Sequence, residues 1–169
     1  MNVEIGPGAT RRLLEGATHR PAILEALAGV EHKDLLVAGP VDFLAMKKLY
    51  LAVKPALSDP DTKDPNAWVT ASKLCARKRH ELFPVRDNVV CDYLGLIPTA
   101  KGESGNYQVD YQVYRALIGD RQIIAAIDDL ADQLRAGVPG RDVRPDAGRL
   151  RLLDAALWTW AVKKKKKWR

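Results

Sequence analysis

Residues 68–96 read WVTASKLCARKRHELFPVRDNVVCDYLGL, and this segment decides the fold and holds the candidate site. Its first part repeats small and apolar residues at helical spacing and predicts a helix over about residues 68–79. Phe83-Pro84-Val85 interrupts that pattern, because proline disfavours helix at the preceding residue and has no N–H to donate. A further helix is expected to begin at Asp87, whose side chain can cap it, and to end at Gly95. The segment therefore predicts two helices joined by a rigid connector.

Helical patterns also account for the chain on both sides of this segment. Apolar periodicity and capping signals predict helices over residues 10–15, 22–28, 42–55, 111–118, 123–134 and 150–160. Residues 35–37 fit either a strand or a helical turn, and residues 3–5 could be extended. We predict an all-α fold with little or no β structure: a single compact domain of about six to eight helices spanning residues 1–162.

The net charge of +6 comes from the C-terminal end of the chain. Residues 163–169 hold six cations and no acid, so the remainder of the chain is neutral. This run is predicted to be a disordered basic tail, which could add nonspecific nucleic-acid affinity or be foreign to the natural sequence. The overall basicity is therefore not by itself evidence for a DNA-binding domain.

Several classes of site and location are disfavoured. Cys75 and Cys91 lie in apolar helical patterns and predict buried, reduced thiols in a cytoplasmic protein. The two cysteines and three histidines lack zinc or iron–sulfur spacing, so no metal site and no cofactor are predicted. Phosphate-loop, dinucleotide-binding, GxSxG and HExxH motifs are absent from the sequence. No signal peptide and no run of about twenty apolar residues is present, so no membrane partner is expected.

Asp87 is the candidate catalytic carboxylate. An aspartate that opens a helix after a rigid connector is held in place by backbone N–H groups, and the helix dipole favours its charged form. The simpler interpretation, that Asp87 only caps the helix, stays open. The cations around it are candidate phosphate contacts, or else a solvated helix end. They are Lys73, Arg77, Lys78, Arg79 and Arg86.

The pair Thr70-Ala71, with Asp87 sixteen residues after Ala71, resembles the helix-hairpin-helix DNA glycosylase superfamily. There, a helix carrying Thr-Ala is followed by a connector and an aspartate that opens the next helix. The resemblance implies a glycosylase-like fold, a base flipped from DNA, and Asp87 stabilising the oxocarbenium sugar and orienting water.

The chain also departs from that superfamily at two places. Residues 65–68 read PNAW where the Gly-hydrophobic-Gly hairpin that grips a DNA phosphate is expected. Val69 stands at the position of the lysine nucleophile of the lyase members, and Lys73, one turn later, is not assigned that role. The resemblance therefore implies a DNA-interacting, monofunctional N-glycosidic bond hydrolase without lyase activity.

Residues 71–87, ASKLCARKRHELFPVRD, are similar to the motif ASKLxARKRxxLxPVxD of a bacterial domain family of uncharacterised function. His80 stands where that family is expected to have proline. Membership implies neither a substrate nor a reaction. The alternative to a glycosylase-like enzyme is thus a non-catalytic helical module that binds nucleic acid or a protein partner.

Aromatic residues in the C-terminal half are expected mainly to pack in the core or at its boundary. Of Trp158 and Trp160, one is expected in the core and the other at its boundary. Tyr107, Tyr111 and Tyr114 could stack on bases, but three-residue spacing on a helix is more typical of core residues.

Overall fold

The computed structural model describes residues 5–58, 67–96, 107–137 and 148–167, and all regular structure in these ranges is helical. The α-helices are α1 Pro7–Leu14, α2 Arg20–Ala28, α3 Pro40–Leu57, α4 Trp68–Lys78, α5 Asn88–Tyr93, α6 Tyr107–Gly119, α7 Arg121–Arg135 and α8 Arg149–Lys167. A 3-10 turn at Leu35–Val37 precedes α3. The prediction of an all-α domain is confirmed. The extended piece expected at residues 3–5 lies almost entirely outside the described residues.

The long helix α3 lies at the centre of the N-terminal half and contacts α1, α2, α4 and α6. In the C-terminal half, α8 packs against α5, α6 and α7. Aromatic rings from different elements meet between the halves: Phe83 contacts Tyr111 edge to face with 5.9 Å between ring centroids. Burial of each such ring contributes about 1.5–3 kcal/mol. The connector that carries Phe83 is therefore anchored in the core.

Helix α3 runs past the point where the sequence predicts its end. The pattern predicts an end near Pro55, but the helix continues to Leu57. Ala56 and Leu57 are buried, and Arg12 donates hydrogen bonds to the carbonyls of Ala56 at 2.9 Å and Ser58 at 3.0 Å. This burial and capping outweigh the single backbone hydrogen bond that proline cannot donate.

The predicted end of α5 is correct. Gly95 follows the helix with a φ of 71°, in the left-handed region that glycine adopts without strain. The N–H of Leu96 then donates to the carbonyl of Cys91 at 2.7 Å, which satisfies a carbonyl at the end of the helix.

The last helix differs from its prediction in two ways. It continues through Lys167, so residues 163–167 are helical where the charge run predicts disorder. Both Trp158 and Trp160 are about half exposed, so the assignment of one of them to the core is wrong. Leu150, Leu153 and Ala161 occupy the buried face instead.

Other core predictions are confirmed. Tyr111 and Tyr114 are buried, and Cys75 and Cys91 are buried free thiols. The side chain of Tyr107 lies outside the described part of the chain. None of the described helices has the combination of length and apolar character that crossing a membrane requires.

Candidate functional site

The connector before Asp87 is held by three helices. Ser72 of α4 accepts a hydrogen bond from the N–H of Arg86 at 2.9 Å and donates to the carbonyl of Pro84 at 3.3 Å. Tyr114 of α6 donates to the carbonyl of Val85 at 3.1 Å. Asp154 of α8 accepts from the N–H of Val85 at 3.2 Å. Because buried backbone groups are satisfied from three directions, the start of α5 has a fixed position.

Asp87 is the N-cap of α5, as the sequence predicts. One carboxylate oxygen accepts a hydrogen bond from the N–H of Val89 at 2.9 Å. The other lies 3.5 Å from the ammonium group of Lys73, and the side chains of both residues are only partly exposed. Asp87 is therefore held by a backbone donor and a cation that come from different helices.

A pocket of about 640 Å³ opens beside Asp87, between α4, α5 and α8. Its charged lining consists of Lys73, Asp87, Arg151 and Asp154, and Val90 and Trp158 contribute apolar surface. This volume lies within the usual range of small-molecule sites, about 300–1,000 Å³. The pocket places two carboxylates and two cations around a space large enough for a nucleobase.

Asp154 and Arg151 are pocket residues that sequence reasoning missed. They lie three residues apart on α8, 2.9 Å from each other, and the side chains of both are more than nine-tenths buried. Arg151 also donates to the carbonyls of His80, at 3.0 Å, and Phe83. The pair therefore ties α8 to the connector. Burial raises the pKa of Asp154 to about 7, although Arg151 and the Val85 N–H act in the opposite direction.

The raised pKa of Asp154 predicts a pH dependence of stability. In the unfolded chain this carboxyl ionises near its ordinary pKa of 3.8, whereas in the folded protein it ionises near 7. The stability linked to protonated Asp154 is therefore complete below pH 3.8 and is lost as the pH rises to 7. We expect the free energy of unfolding of the wild type, relative to Asp154→Asn, to fall across this window and then to level off. Urea denaturation at several pH values measures it; a relative stability that rises with pH would mean that pairing with Arg151 outweighs burial.

The comparison with protein families covers nearly the whole chain. Residues 1–161 match the model of a family described as "Family of unknown function (DUF6308)". The chain belongs to this family. The prediction that the chain belongs to a domain family of uncharacterised function is confirmed. No curated protein and no solved structure matches the chain.

The segment matched to DUF6308 contains every residue of the pocket beside Asp87. Residues 162–169, with the lysine run, lie outside it. The pocket is thus part of the DUF6308 domain itself.

The five predicted cations of this DUF6308 domain occupy four different environments. Lys73 lies in the pocket, and Arg77 and Lys78 are exposed at the end of α4. Arg79 is partly buried and donates to the carbonyls of Val30 at 2.9 Å and Leu27 at 3.1 Å. Arg79 therefore satisfies carbonyls at the C-terminal end of α2, which gives it a structural role.

Arg86 does not lie at the surface, where a residue that contacts phosphate must lie. Its side chain is fully buried, with Nε and Nη2 each 2.6 Å from a carboxylate oxygen of Asp110. The guanidinium group also lies over the rings of Tyr50, at 5.3 Å, and Trp68, at 5.6 Å. A phosphate in solvent does not reach this group, so the assignment of Arg86 as a phosphate contact is corrected to a core ion pair.

A second depression, of about 650 Å³, lies between the 3-10 turn, α3 and α6. Its lining includes Leu36, Phe43, Leu44 and Arg115 and contains no carboxylate. Among the described residues, no group of histidine, cysteine, aspartate and glutamate side chains is arranged to hold a metal ion. The pocket beside Asp87 is accordingly the better candidate for chemistry.

Proposed function

We propose that the protein is a glycosylase-like hydrolase that cleaves N-glycosidic bonds in DNA, with Asp87 as the catalytic carboxylate and water as the nucleophile. The observation that carries this proposal is that Asp87, while capping α5, also lines a pocket of about 640 Å³. A carboxylate that served only as a cap would not need a cavity beside it. Small-ligand pockets with a few convergent polar groups are the usual location of binding and catalysis.

The pocket chemistry suits cleavage of the bond between a sugar and a base. The negative charge of Asp87 would stabilise the oxocarbenium character that develops at C1′ as the C1′–N bond breaks. Asp154, whose burial raises its pKa to about 7, would donate a proton to the departing base nitrogen. Water would then add to C1′ and lose its proton to Asp87. Two carboxyl groups in different environments can divide these roles.

Lys73 has a positioning role in this proposal. Its ammonium group lies 3.5 Å from Asp87 and orients that carboxylate. Val69, which stands at the position of the lyase nucleophile in the glycosylase superfamily, is partly buried and has no reactive group. The proposed reaction therefore ends with hydrolysis, without an imine intermediate.

The proposed DNA contacts are Lys73, Arg77 and Lys78. Arg77 and Lys78 lie at the exposed C-terminal end of α4, the helix that contributes Lys73 to the pocket. We expect the double variant Arg77→Ala/Lys78→Ala to reduce the slope of log affinity against log salt concentration by about 2, since each lost phosphate contact removes about 1. Salt-titrated duplex binding by fluorescence anisotropy measures this slope.

A matched control for that prediction removes the same charge from another helix. Arg121 and Arg135 are exposed at the two ends of α7. Arg121→Ala/Arg135→Ala should leave the salt slope close to that of the wild type. Equal losses from the two double variants would mean that net charge, and not the end of α4, determines DNA affinity.

A non-catalytic helical module that binds nucleic acid or a protein partner is the second candidate. It is favoured by one observation: the contacts of Asp87 with the Val89 N–H and Lys73 are those of a structural cap. Single-turnover base release from a panel of damaged or modified duplexes, with wild type and Asp87→Asn, distinguishes the enzyme from the non-catalytic module.

We further propose that the protein is bacterial and works in the cytoplasm, where Cys75 and Cys91 would stay reduced.

A further inference from the structure

Three aromatic rings remain half exposed where α5 meets α8. The exposed fractions are 48% for Tyr93, 50% for Trp158 and 51% for Trp160. Aromatic side chains of this size contribute most when they are buried, and clustered exposed rings commonly mark a binding surface. We call Tyr93, Trp158, Trp160, Lys163 and Lys164 the aromatic–basic surface.

Contacts within the aromatic–basic surface fix the position of the Trp160 ring. The indole N–H of Trp160 donates to the hydroxyl of Tyr93 at 3.0 Å. The ammonium group of Lys164 lies 5.1 Å from the centroid of the same ring, within the range of a cation–π contact. A ring held in this way loses little conformational entropy when a ligand stacks on it.

The aromatic–basic surface adjoins the pocket. Trp158 forms part of the pocket wall, whereas Trp160, two residues later on α8, projects from a different side of the helix and meets α5 through its hydrogen bond with Tyr93. On α5, Val90 lines the pocket and Tyr93 follows three residues later. A chain that occupied the pocket could therefore continue along the contact between these helices.

The positive charge of this surface favours binding of a polyanion. Residues 155–169 contain no acid and Lys163 and Lys164 are exposed, while α5 brings one exposed acid, Asp92, beside Tyr93. The apolar face of α8, with Leu150, Leu153 and Ala161, is buried in the core. An interfacial helix would need its apolar face free to enter a lipid layer, so a membrane surface fits this helix less well than a nucleic acid does.

We infer that the aromatic–basic surface binds single-stranded nucleic acid, with bases stacked on the exposed rings and phosphates near the lysines. Sequence-tolerant single-strand binding combines these two features, stacking platforms and a positive surface. The inference deepens the proposed function by naming unpaired strand as a ligand beside the pocket, but the binding itself does not require chemistry at Asp87.

The test is binding of a fluorescently labelled oligothymidylate of about ten nucleotides, a length within the site sizes of single-strand binding folds. We expect Trp158→Ala and Trp160→Ala each to weaken binding about tenfold, since stacking on one ring contributes that much. Binding should also quench the tryptophan fluorescence of the wild type. Val41→Ala, which removes an exposed apolar side chain from α3, is the control and should bind as the wild type does.

A further variant separates stacking from charge. Replacing the five lysines at 163–167 by glutamine keeps a good helix former at each position while removing the charge. We expect weaker binding with a shallower salt dependence, and fluorescence quenching that persists at saturation. If this variant lost all binding while both tryptophan variants bound normally, the tail charge alone would explain the affinity and the inference would be wrong.

Three other outcomes are decisive. Tryptophan-dependent binding to phosphatidylserine vesicles without binding to oligothymidylate would replace nucleic acid by a membrane and overturn the inference. Oligothymidylate binding that depends on the tryptophans, with no base release from any duplex, would support this surface and remove only the proposed enzymatic function. Base release by the wild type, together with normal oligothymidylate binding by both tryptophan variants, would support the proposed enzymatic function and overturn the inference about this surface.

Discussion

Asp110→Ala is expected to lower the free energy of unfolding by about 3–5 kcal/mol, because it leaves the Arg86 guanidinium group buried without its carboxylate. Both side chains are fully buried, and the two guanidinium nitrogens that face Asp110 lie 2.6 Å from its oxygen. The rings of Tyr50 and Trp68 at 5.3 and 5.6 Å stabilise the cation further but do not replace an anion. Urea denaturation near neutral pH measures the loss.

Two variants show whether the loss comes from the buried charge. Asp132→Ala breaks an exposed pair with Arg135 and should cause no measurable change, since exposed ion pairs contribute little. The double variant Arg86→Met/Asp110→Leu removes both charges and should recover much of the stability, because apolar side chains can fill the same space. A double variant as unstable as Asp110→Ala would mean that packing around the pair matters more than its charge.

The local pattern of residues 68–96 is sufficient to predict much of the site scaffold. Proline at 84 and an aspartate followed by an apolar helical stripe predict the break and the cap, and the structure has both. These features depend on contacts between near neighbours in sequence, such as that of Asp87 with the Val89 N–H. Short-range hydrogen bonding of this kind can be inferred from residue types and spacing.

Burial of the charged residues could not be predicted in the same way. Arg86 stands among other cations in the sequence, a pattern that predicts a surface position, yet its partner Asp110 lies 24 residues later on another helix. Asp154 and Arg151 fall within a leucine-rich helix and contact the connector about seventy residues earlier. Nothing in the spacing of these residues indicates such contacts, since they arise only when α8 packs against α5.

Asp87→Asn is expected to reduce the rate of base release by at least about a hundredfold, the lower end of the usual contribution of a positioned acid or base. Asparagine caps a helix about as well as aspartate, so the variant should keep the fold of α5. The amide has no negative charge to stabilise an oxocarbenium ion and cannot accept a proton from water. The affinity for intact duplex should change much less than the rate.

Asp120→Asn is the matched control for Asp87→Asn. Asp120 is the N-cap of α7 and accepts hydrogen bonds from the N–H groups of Gln122 and Ile123. The same substitution is thus made at a cap outside the lining of the pocket. Equal reductions of the rate in the two variants would attribute the effect to helix capping and not to a catalytic carboxylate.

Single-turnover base release from a panel of duplexes with damaged or modified bases tests the central claim, that Asp87 is a catalytic carboxylate, most directly. We predict that the wild type releases the base from at least one substrate, that Asp120→Asn does so at the wild-type rate, and that Asp87→Asn is impaired by about a hundredfold or more. Release by Asp87→Asn at the wild-type rate would contradict the claim, as would the absence of release from every substrate by the wild type.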